Sequence, residues 1–231
     1  MSGYERYALY YTPPTGSALG AFGSAWLGWD ADAGVEILRP AIEGLPEPIP
    51  SLTAAPSRYG FHGTLRAPFR LKEGLTEKAL LAAVFDFCED EKPFEAPALR
   101  LSSDLGFVCL RPTAPSEALS AFAMGCVRNF RGLAAQPTES ELAKRRAVGL
   151  TPNQEEMLTR WGYPYVGEEY RFHMTLTKQL SADAAAAVLA VLAPRIEPLL
   201  SEPTPVRELC LFGDPGHDGH FRLVRRFRLK G

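Results

Sequence analysis

The sequence is poor in cysteine, and its few cysteines are widely separated. There are four of them in 231 residues, and none stands in a Cys-x-x-Cys pair. This spacing excludes the common zinc-binding motifs and the dense disulfide framework of small secreted domains. Isolated cysteines are most often small buried apolar residues in a reducing compartment. We therefore predict no zinc site and no disulfide framework from Cys88, Cys109, Cys126 and Cys210.

Long apolar runs and a strong net charge are also missing. No segment approaches 18 consecutive apolar residues, and the first residues do not form a basic segment followed by an apolar one. We therefore expect a soluble, cytoplasmic protein without a membrane partner. The formal net charge is -2, so no overall positive field favours DNA or long RNA as a partner. A small anionic ligand is compatible with this charge.

The order of predicted elements repeats between the two halves of the chain. Each half contains a strand with a histidine, then a helix, then two strands. With 46% apolar residues, the chain is long enough to bury one large core or two fused ones. We predict an α+β fold in which residues 1–231 form a single bilobal domain. Each lobe is expected to be an antiparallel sheet with helices on one face.

Local patterns place the individual elements. Strands are predicted at 4–11, 59–71 (interrupted at Pro68), 97–103, 106–112, 170–180 and, as a final pair, 206–229. Helices are predicted from Ser17, after an N-cap at Thr76, and over 116–130, 138–160 and 181–200. Five prolines between residues 30 and 57 predict a long irregular connection.

Two of the four histidines stand in the same five-letter frame. The frame Phe-His-x-Thr-Leu occurs as FHGTL at residues 61–65 and as FHMTL at residues 172–176. On a strand, residues i and i+2 point to the same face. His62 therefore lies beside Thr64, and His173 beside Thr175. If the lobes meet along these faces, the four side chains share one cleft.

Two imidazoles and two hydroxyls in one cleft are suited to displacement at phosphorus. A neutral imidazole can take a proton from the attacking group, and a protonated one can give a proton to the leaving oxygen. The threonine hydroxyls can donate hydrogen bonds to the non-bridging phosphate oxygens. This scheme needs neither a metal nor a cofactor. A lone histidine on a sheet is more often structural, but two matching copies in a repeated order favour a catalytic role.

The paired motifs resemble a known superfamily. HGTL and HMTL are similar to the two H-x-T motifs of the 2H phosphoesterases, which include 2'-5' RNA ligase-like proteins and cyclic nucleotide phosphodiesterases. The words RYGFHGTL, WGYPYV and YRFHMTLT resemble more closely the DUF1045 branch, which is linked with phosphonate metabolism. The resemblance covers nearly the whole chain.

The resemblance implies a bilobal fold with pseudo-two-fold symmetry around a central cleft. It also implies metal-independent opening of a small cyclic phosphodiester. His62 and His173 correspond to the catalytic residues, and Thr64 and Thr175 to substrate-phosphate ligands. For this branch, the resemblance points to a ribose 1,2-cyclic phosphate that also bears a 5-phosphate. It leaves open which histidine is the acid, which ester bond breaks and whether water or a substrate hydroxyl attacks.

Several further residues are candidates for binding phosphate. Arg58 and Tyr59 precede the first motif, and we predict that they contact the substrate. Lys144, Arg145 and Arg146 fan around a predicted helix, where the usual role is a solvated face and contact with a second phosphate is the alternative. The aromatic residues of the second half form either a wall beside the second motif or part of the core; they are Trp161, Tyr163, Tyr165 and Tyr170.

Two other functions are consistent with the sequence. The first is processing of RNA ends with 2',3'-cyclic phosphates or 2'-5' linkages, which would need a basic groove with aromatic side chains. The second is a non-catalytic module that binds a nucleotide or phosphosugar. Two complete H-x-T motifs argue against the second, because binding alone does not need two proton-transfer groups. Nothing in the sequence indicates an oligomeric state.

Overall fold

The protein combines helices and antiparallel strands in a computed structural model that describes residues 3–200, 203–217 and 219–231. The helices are α1 (Ala18–Leu27), α2 (Ile49–Ser57), α3 (Glu77–Asp90), α4 (Glu117–Asn129), α5 (Glu139–Arg146), α6 (Pro152–Trp161) and α7 (Ala182–Ile196). The strands are β1 (Arg6–Tyr11), β2 (Trp29–Asp30), β3 (Val35–Glu36), β4 (Gly63–Phe69), β5 (Phe94–Ala96), β6 (Leu99–Ser102), β7 (Cys109–Pro112), β8 (Met174–Thr175), β9 (Thr204–Val206), β10 (Glu208–Asp214) and β11 (Arg222–Arg228). The predicted α+β class is confirmed.

Seven strands form one sheet in the order β11-β10-β1-β4-β8-β7-β6. All neighbouring strands in it are antiparallel. The two strands that follow the paired histidines, β4 and β8, are neighbours and pair through Gly63 and Met174. The strands that we expected in two separate sheets are therefore hydrogen-bonded into one, and the two halves of the chain join at the motifs.

The main core lies against this sheet and contains residues from both halves. Leu65 of β4 and Val84 of α3 belong to the same buried cluster as Met174 of β8 and Leu192 of α7. The indole of Trp26 in α1 donates a hydrogen bond to the carbonyl of Leu176 at 2.8 Å. A side chain of the first half thus holds the backbone just after the second motif. A smaller aromatic cluster includes Tyr10, Trp29, Phe212 and Phe221.

The segment from residue 30 to 57 is more ordered than its prolines predicted. It contains the β2–β3 hairpin and helix α2. Pro50 lies in the first turn of α2, where a missing amide hydrogen costs nothing, and Pro56 lies in its last turn. The expectation of a long irregular connection was therefore wrong for the hairpin and for α2, but it is confirmed for residues 37–48, which form neither helix nor strand.

The first motif strand also differs from its prediction. Strand β4 begins only at Gly63, after His62, and continues through Pro68 without interruption. The register between β1 and β4 shifts between the pairs Tyr7–Phe69 and Leu9–Arg66. An irregularity of this kind leaves some positions without a hydrogen bond to the neighbouring strand. A proline, which has no amide hydrogen, can occupy such a position.

The second half has two further differences. The charged stretch over 138–160 forms two helices, α5 and α6, each started by a threonine capping box at Thr138 and Thr151. The strand expected over 170–180 is only the two residues of β8. The hairpin of β6 and β7, helices α1, α3, α4 and α7, and the final pair β10 and β11 are confirmed.

Candidate active site

Both motif histidines lie immediately before their strands. His62 precedes β4 and His173 precedes β8, so each imidazole lies where its strand begins. The predicted pairing of histidine with threonine is present in the first motif, where Nε2 of His62 lies 3.2 Å from Oγ1 of Thr64. Thr64 pairs with Tyr10 of β1, and Thr175 pairs with Cys109 of β7.

The two imidazoles are held by the same backbone contact. Nδ1 of His62 donates to the carbonyl of Gly60 at 3.0 Å. Nδ1 of His173 donates to the carbonyl of Arg171 at 2.7 Å. In each case the acceptor is two residues earlier in the chain. Because a carbonyl only accepts, Nδ1 carries the hydrogen in both rings, and Nε2 of each neutral ring is left as the proton acceptor.

Aromatic rings fix the orientation of both histidines. The ring of Tyr10 stacks on His62 with centroids 3.8 Å apart, and Tyr59 lies 6.1 Å away at a tilt. Phe107 lies 5.5 Å from the ring of His173. Tyr10 was missed by sequence reasoning; it is recognisable only through its register opposite Thr64. These contacts restrict ring rotation and leave Nε2 of His62 next to Thr64.

Burial makes both histidines harder to protonate than usual. It lowers the pKa of His62 to about 4, against a raising effect from the hydrogen bond to Gly60, and a positive charge on His173 lowers that pKa further. Burial likewise lowers the pKa of His173, with a smaller lowering effect from Arg111. Both imidazoles are therefore neutral at neutral pH in the free protein.

A cavity of about 640 Å³ opens beside the motifs. Of the four motif residues, Thr64 and His173 line it, and His62 approaches it through the contact with Thr64. The four aromatic residues named above as wall or core all belong to the lining: Trp161, Tyr163, Tyr165 and Tyr170. Their role as a wall is thereby favoured over the core for Trp161, Tyr163 and Tyr165. Tyr170 also packs against the main core, and its hydroxyl donates to the carbonyl of Thr64 at 2.9 Å.

The cavity is strongly basic in a chain that is weakly acidic overall. Six arginines and two glutamates line it, an excess of four positive charges: Arg66, Arg70, Arg131, Arg145, Arg160 and Arg171, with Glu141 and Glu169. Glu141 is paired with Arg70 at 3.1 Å. Glu169 accepts hydrogen bonds from Asn153 and Gln154. The net charge of -2 for the whole chain concealed this local field.

Arg66 brings a buried positive charge to the strand of the first motif. Its Nη1 donates to the carbonyl of Val127 at 2.6 Å, in the last turn of α4, where the helix dipole favours a cation. Its Nε has no hydrogen-bond partner in the described part of the chain. Burial lowers its pKa to about 10, so the guanidinium stays charged at neutral pH. Arg66 follows Thr64 by two residues, a spacing that would have identified it.

Arg58 and Tyr59 lie on the other side of His62. Nη2 of Arg58 donates to Oδ1 of Asp214 at 2.9 Å and to the carbonyl of His217 at 3.1 Å. Asp214 is fully buried and also accepts from Nε of Arg6 at 2.9 Å. The predicted contact of Arg58 with a substrate phosphate would therefore have to use its Nε and Nη1 donors, or break this internal ion pair. Tyr59 packs 5.0 Å from the ring of Phe221.

Two further properties bear on the chemistry that these residues can perform. Within residues 3–200, 203–217 and 219–231, no three His, Cys, Asp or Glu side chains are grouped as metal ligands. All four cysteines are unpaired and buried. Across the same described ranges, no helix has the length and apolar character needed to cross a membrane.

Comparisons with known proteins relate the chain to one sequence family. The profile described as "Protein of unknown function (DUF1045)" matches residues 64–222. Two curated relatives both carry the name "Ribose 1,5-bisphosphate phosphokinase PhnN". The protein of Janthinobacterium sp. (strain Marseille) is 45% identical over 181 residues, which are 78% of this chain and 40% of the relative. That of Laribacter hongkongensis (strain HLHK9) is 37% identical over 220 residues, which are 95% of this chain and 51% of the relative.

The chain thus spans about half the length of the curated relatives it matches. Among solved structures, the crystal structure of TT0787 of Thermus thermophilus aligns over 98% of both chains with 18% identity and a TM-score of 0.46. The crystal structure of E. coli LigT complexed with NADP+ aligns over 99% of both chains with 15% identity and a TM-score of 0.44.

Proposed function

We propose that this chain, which belongs to the DUF1045 family, is a phosphoesterase that opens a small cyclic phosphodiester with His62 and His173 as its acid and base. One observation carries the proposal. Both imidazoles are fixed through Nδ1 to the carbonyl two residues earlier, and both therefore keep Nε2 for proton transfer. Two histidines with only structural roles would have no reason to share the same tautomer in matching sequence frames.

The proposed reaction moves one proton at each end of the displacement. Water attacks phosphorus, and Nε2 of His62 takes its proton as the new P–O bond forms. The ester P–O bond breaks, and the leaving oxygen takes a proton from Nε2 of His173. His62 ends protonated and His173 neutral, and exchange with solvent restores both. The hydroxyl of Thr64 and the cavity arginines stabilise the charge on the non-bridging oxygens.

The roles of the histidines follow from their surroundings. The more deeply shifted His62 stays neutral and suits the base. A bound phosphate brings negative charge, which raises the pKa of both rings, so that His173 gains the proton that an acid needs. Thr175, on the strand that follows His173, is proposed as the second hydroxyl donor.

A ribose 1,2-cyclic phosphate bearing a 5-phosphate is the proposed substrate. The names of the two curated relatives refer to a ribose with phosphates on C1 and C5. The resemblance of the motif segments to the DUF1045 branch links the chain with phosphonate metabolism. The basic lining of the cavity is consistent with a ligand that carries more than one phosphate. A cytoplasmic location is proposed as well, since four unpaired buried cysteines suit a reducing compartment.

The aromatic wall favours a second candidate. Trp161, Tyr163 and Tyr165 line the cavity together with arginines, and nucleobases stack on such side chains. On this alternative the substrate is a nucleotide or an RNA end with a 2',3'-cyclic phosphate. The active-site residues and the proton transfers would be the same.

A substrate panel in the presence of EDTA tests the proposal. The panel contains ribose 1,2-cyclic phosphate 5-phosphate, nucleoside 2',3'-cyclic phosphates and a 2'-5' dinucleotide. We expect turnover of one class, reduced by about 10² to 10⁴ in His62→Ala and in His173→Ala. His220→Ala is the matched control, because His220 stacks on Trp29 and is outside the cavity lining.

Two results would reject catalysis by the motif pair. One is full activity in both variants. The other is a folded wild-type protein that binds members of the panel and turns over none of them, which would favour the non-catalytic binding module.

A further inference from the structure

Five of the six cavity arginines form no ion pair in the described part of the chain, and three of the five lie over the aromatic rings of Trp161 and Tyr163. Arg131, Arg145 and Arg160 line the cavity. Within the described ranges, none of the three forms an ion pair with a carboxylate. Arginine side chains that gather in a concave site without counter-ions repel one another, and an anionic ligand relieves that repulsion.

Aromatic rings hold the three guanidinium groups in place. Arg131 and Arg160 each lie 5.1 Å from the ring centroid of Trp161. Arg145 lies 4.7 Å from the ring centroid of Tyr163, and only Gly162 separates the two aromatic residues in sequence. Stacking of this kind uses the face of a guanidinium and leaves its N–H groups in the plane free to donate.

The neighbours of Arg145 on helix α5 show that its placement is specific. Arg146 forms an ion pair with Glu155 of α6 at 2.7 Å, and 45% of its side chain is exposed. Lys144 is exposed and outside the lining. Of these three consecutive cations, only Arg145 is half-buried and faces the cavity.

The cavity connects this arginine to the reaction site. Arg145, Thr64 and His173 all line it. The cationic group and the second motif histidine thus face the same space, which one small ligand can occupy.

We propose that Arg145, together with Arg131 and Arg160, binds a phosphate monoester of the ligand, separate from the phosphate that reacts at the histidines. This subsite rests on the proposed function for the identity of the reacting group, but its own chemistry is independent of turnover. A phosphate monoester is a dianion with three free oxygens, which suits several guanidinium donors at once. A cavity of about 640 Å³ suits a small molecule that carries both groups.

Binding of two sugar phosphates that differ by one phosphate group tests the subsite. Isothermal titration calorimetry is done with ribose 1,5-bisphosphate and with ribose 1-phosphate on the whole chain. We expect the wild type to bind the bisphosphate at least about tenfold more tightly, a value typical of charge-assisted hydrogen bonds. Arg145→Gln, which keeps a long side chain over Tyr163, is expected to lose most of this preference.

Lys144→Ala is the matched control and is expected to keep the full preference, because Lys144 is outside the cavity. Arg145→Lys is expected to recover part of it. Equal affinity of the wild type for the two compounds, an unchanged preference in Arg145→Gln, or no binding of either compound at millimolar concentration would each overturn the subsite.

The subsite and the proposed function can fail separately. A protein that prefers the bisphosphate through Arg145 but opens no cyclic phosphodiester would keep the subsite and lose the proposed function. A protein that opens cyclic phosphodiesters equally well with and without a second phosphate would keep the proposed function and lose the subsite.

Discussion

The ring of Phe172 lies directly against Gly63. A Cβ atom placed on Gly63 would be 2.4 Å from two atoms of that ring, which is closer than real Cβ atoms approach. Gly63 stands between His62 and Thr64, and Phe172 immediately precedes His173. The variable residue of the first motif is therefore small because the phenylalanine of the second motif occupies the space. The two motifs are packed into one another and do not merely face a common cleft.

Gly63→Ala is expected to disturb both motifs at once. The added methyl group must displace Phe172, a buried ring, and overpacking of this kind typically costs about 1 to 3 kcal/mol of unfolding free energy. Because Phe172 is bonded to His173, a fall in kcat is expected beyond the loss of stability. Chemical denaturation and steady-state kinetics measure the two effects.

Gly132→Ala is the control for this substitution, since its Cβ would meet nothing within 4 Å. A Gly63→Ala protein with wild-type stability and kcat would show that Phe172 can move without cost.

The pH dependence of kcat/KM should be a bell with its maximum below pH 6.5. The proposed mechanism needs one histidine neutral and the other protonated in the free protein. Activity therefore rises with pH through the pKa of His62, about 4. It falls as pH rises through the pKa of His173, which burial holds below 6.5. The two limbs are the same whichever histidine is the base.

The profile of kcat should lie at higher pH, because the bound phosphate favours both imidazolium forms. Stopped assays between pH 3.5 and 8 on wild type and on His173→Ala, whose residual activity should lack one limb, measure this. A kcat/KM maximum above pH 7 would contradict the neutral state of the two rings.

Thr64 should act through its hydroxyl and not through its shape. Thr64→Val keeps the volume but removes both the proposed donor to phosphate and the contact with Nε2 of His62. We expect kcat to fall by about 10² or more, the size found for loss of one donor to transition-state charge. Thr64→Ser keeps the hydroxyl and should retain activity within about tenfold. Equal kcat for the Val and Ser variants would rule out a role for the hydroxyl.

Arg58→Ala should lower stability and leave KM unchanged. Removal of Arg58 takes one of the two cations from the fully buried carboxylate of Asp214, leaving Arg6. Loss of a partner from a buried charge costs several kcal/mol when no other partner is left, and about 1 to 3 kcal/mol is expected here. Thermal unfolding measures the change in stability, and steady-state kinetics measure KM. A raised KM at unchanged stability would instead support the direct phosphate contact predicted from the sequence.

The paired frame led from the sequence to the contact between His62 and Thr64, which the structure contains. The strand geometry behind that prediction holds only in part, because β4 begins at Gly63, after His62. Thr76 marks the start of α3 because an N-cap is a local interaction. Elements whose boundaries are set by local chemistry were the ones that the sequence located well.

The cavity could not be predicted in the same way. Arg131, Arg145 and Arg160 come from three separate segments, and only tertiary packing brings them to one surface. On α5, helical periodicity alone does not distinguish Arg145 from Arg146; the difference is set by Glu155, nine residues along the chain from Arg146. The strand break predicted at Pro68 was wrong for a similar reason. The irregular pairing that accommodates this proline depends on β1, a distant part of the sequence.

The two motif histidines are held in nearly the same way, but the aromatic wall of the cavity is not repeated around both of them. Trp161, Tyr163 and the cations that stack on them belong to residues 131–163, between β7 and β8, and among the described residues none before Thr64 lines the cavity. A ligand that met only the two imidazoles would fit equally well in either direction. Because the wall lies on one side only, the site is asymmetric, and a ligand must bind in one orientation.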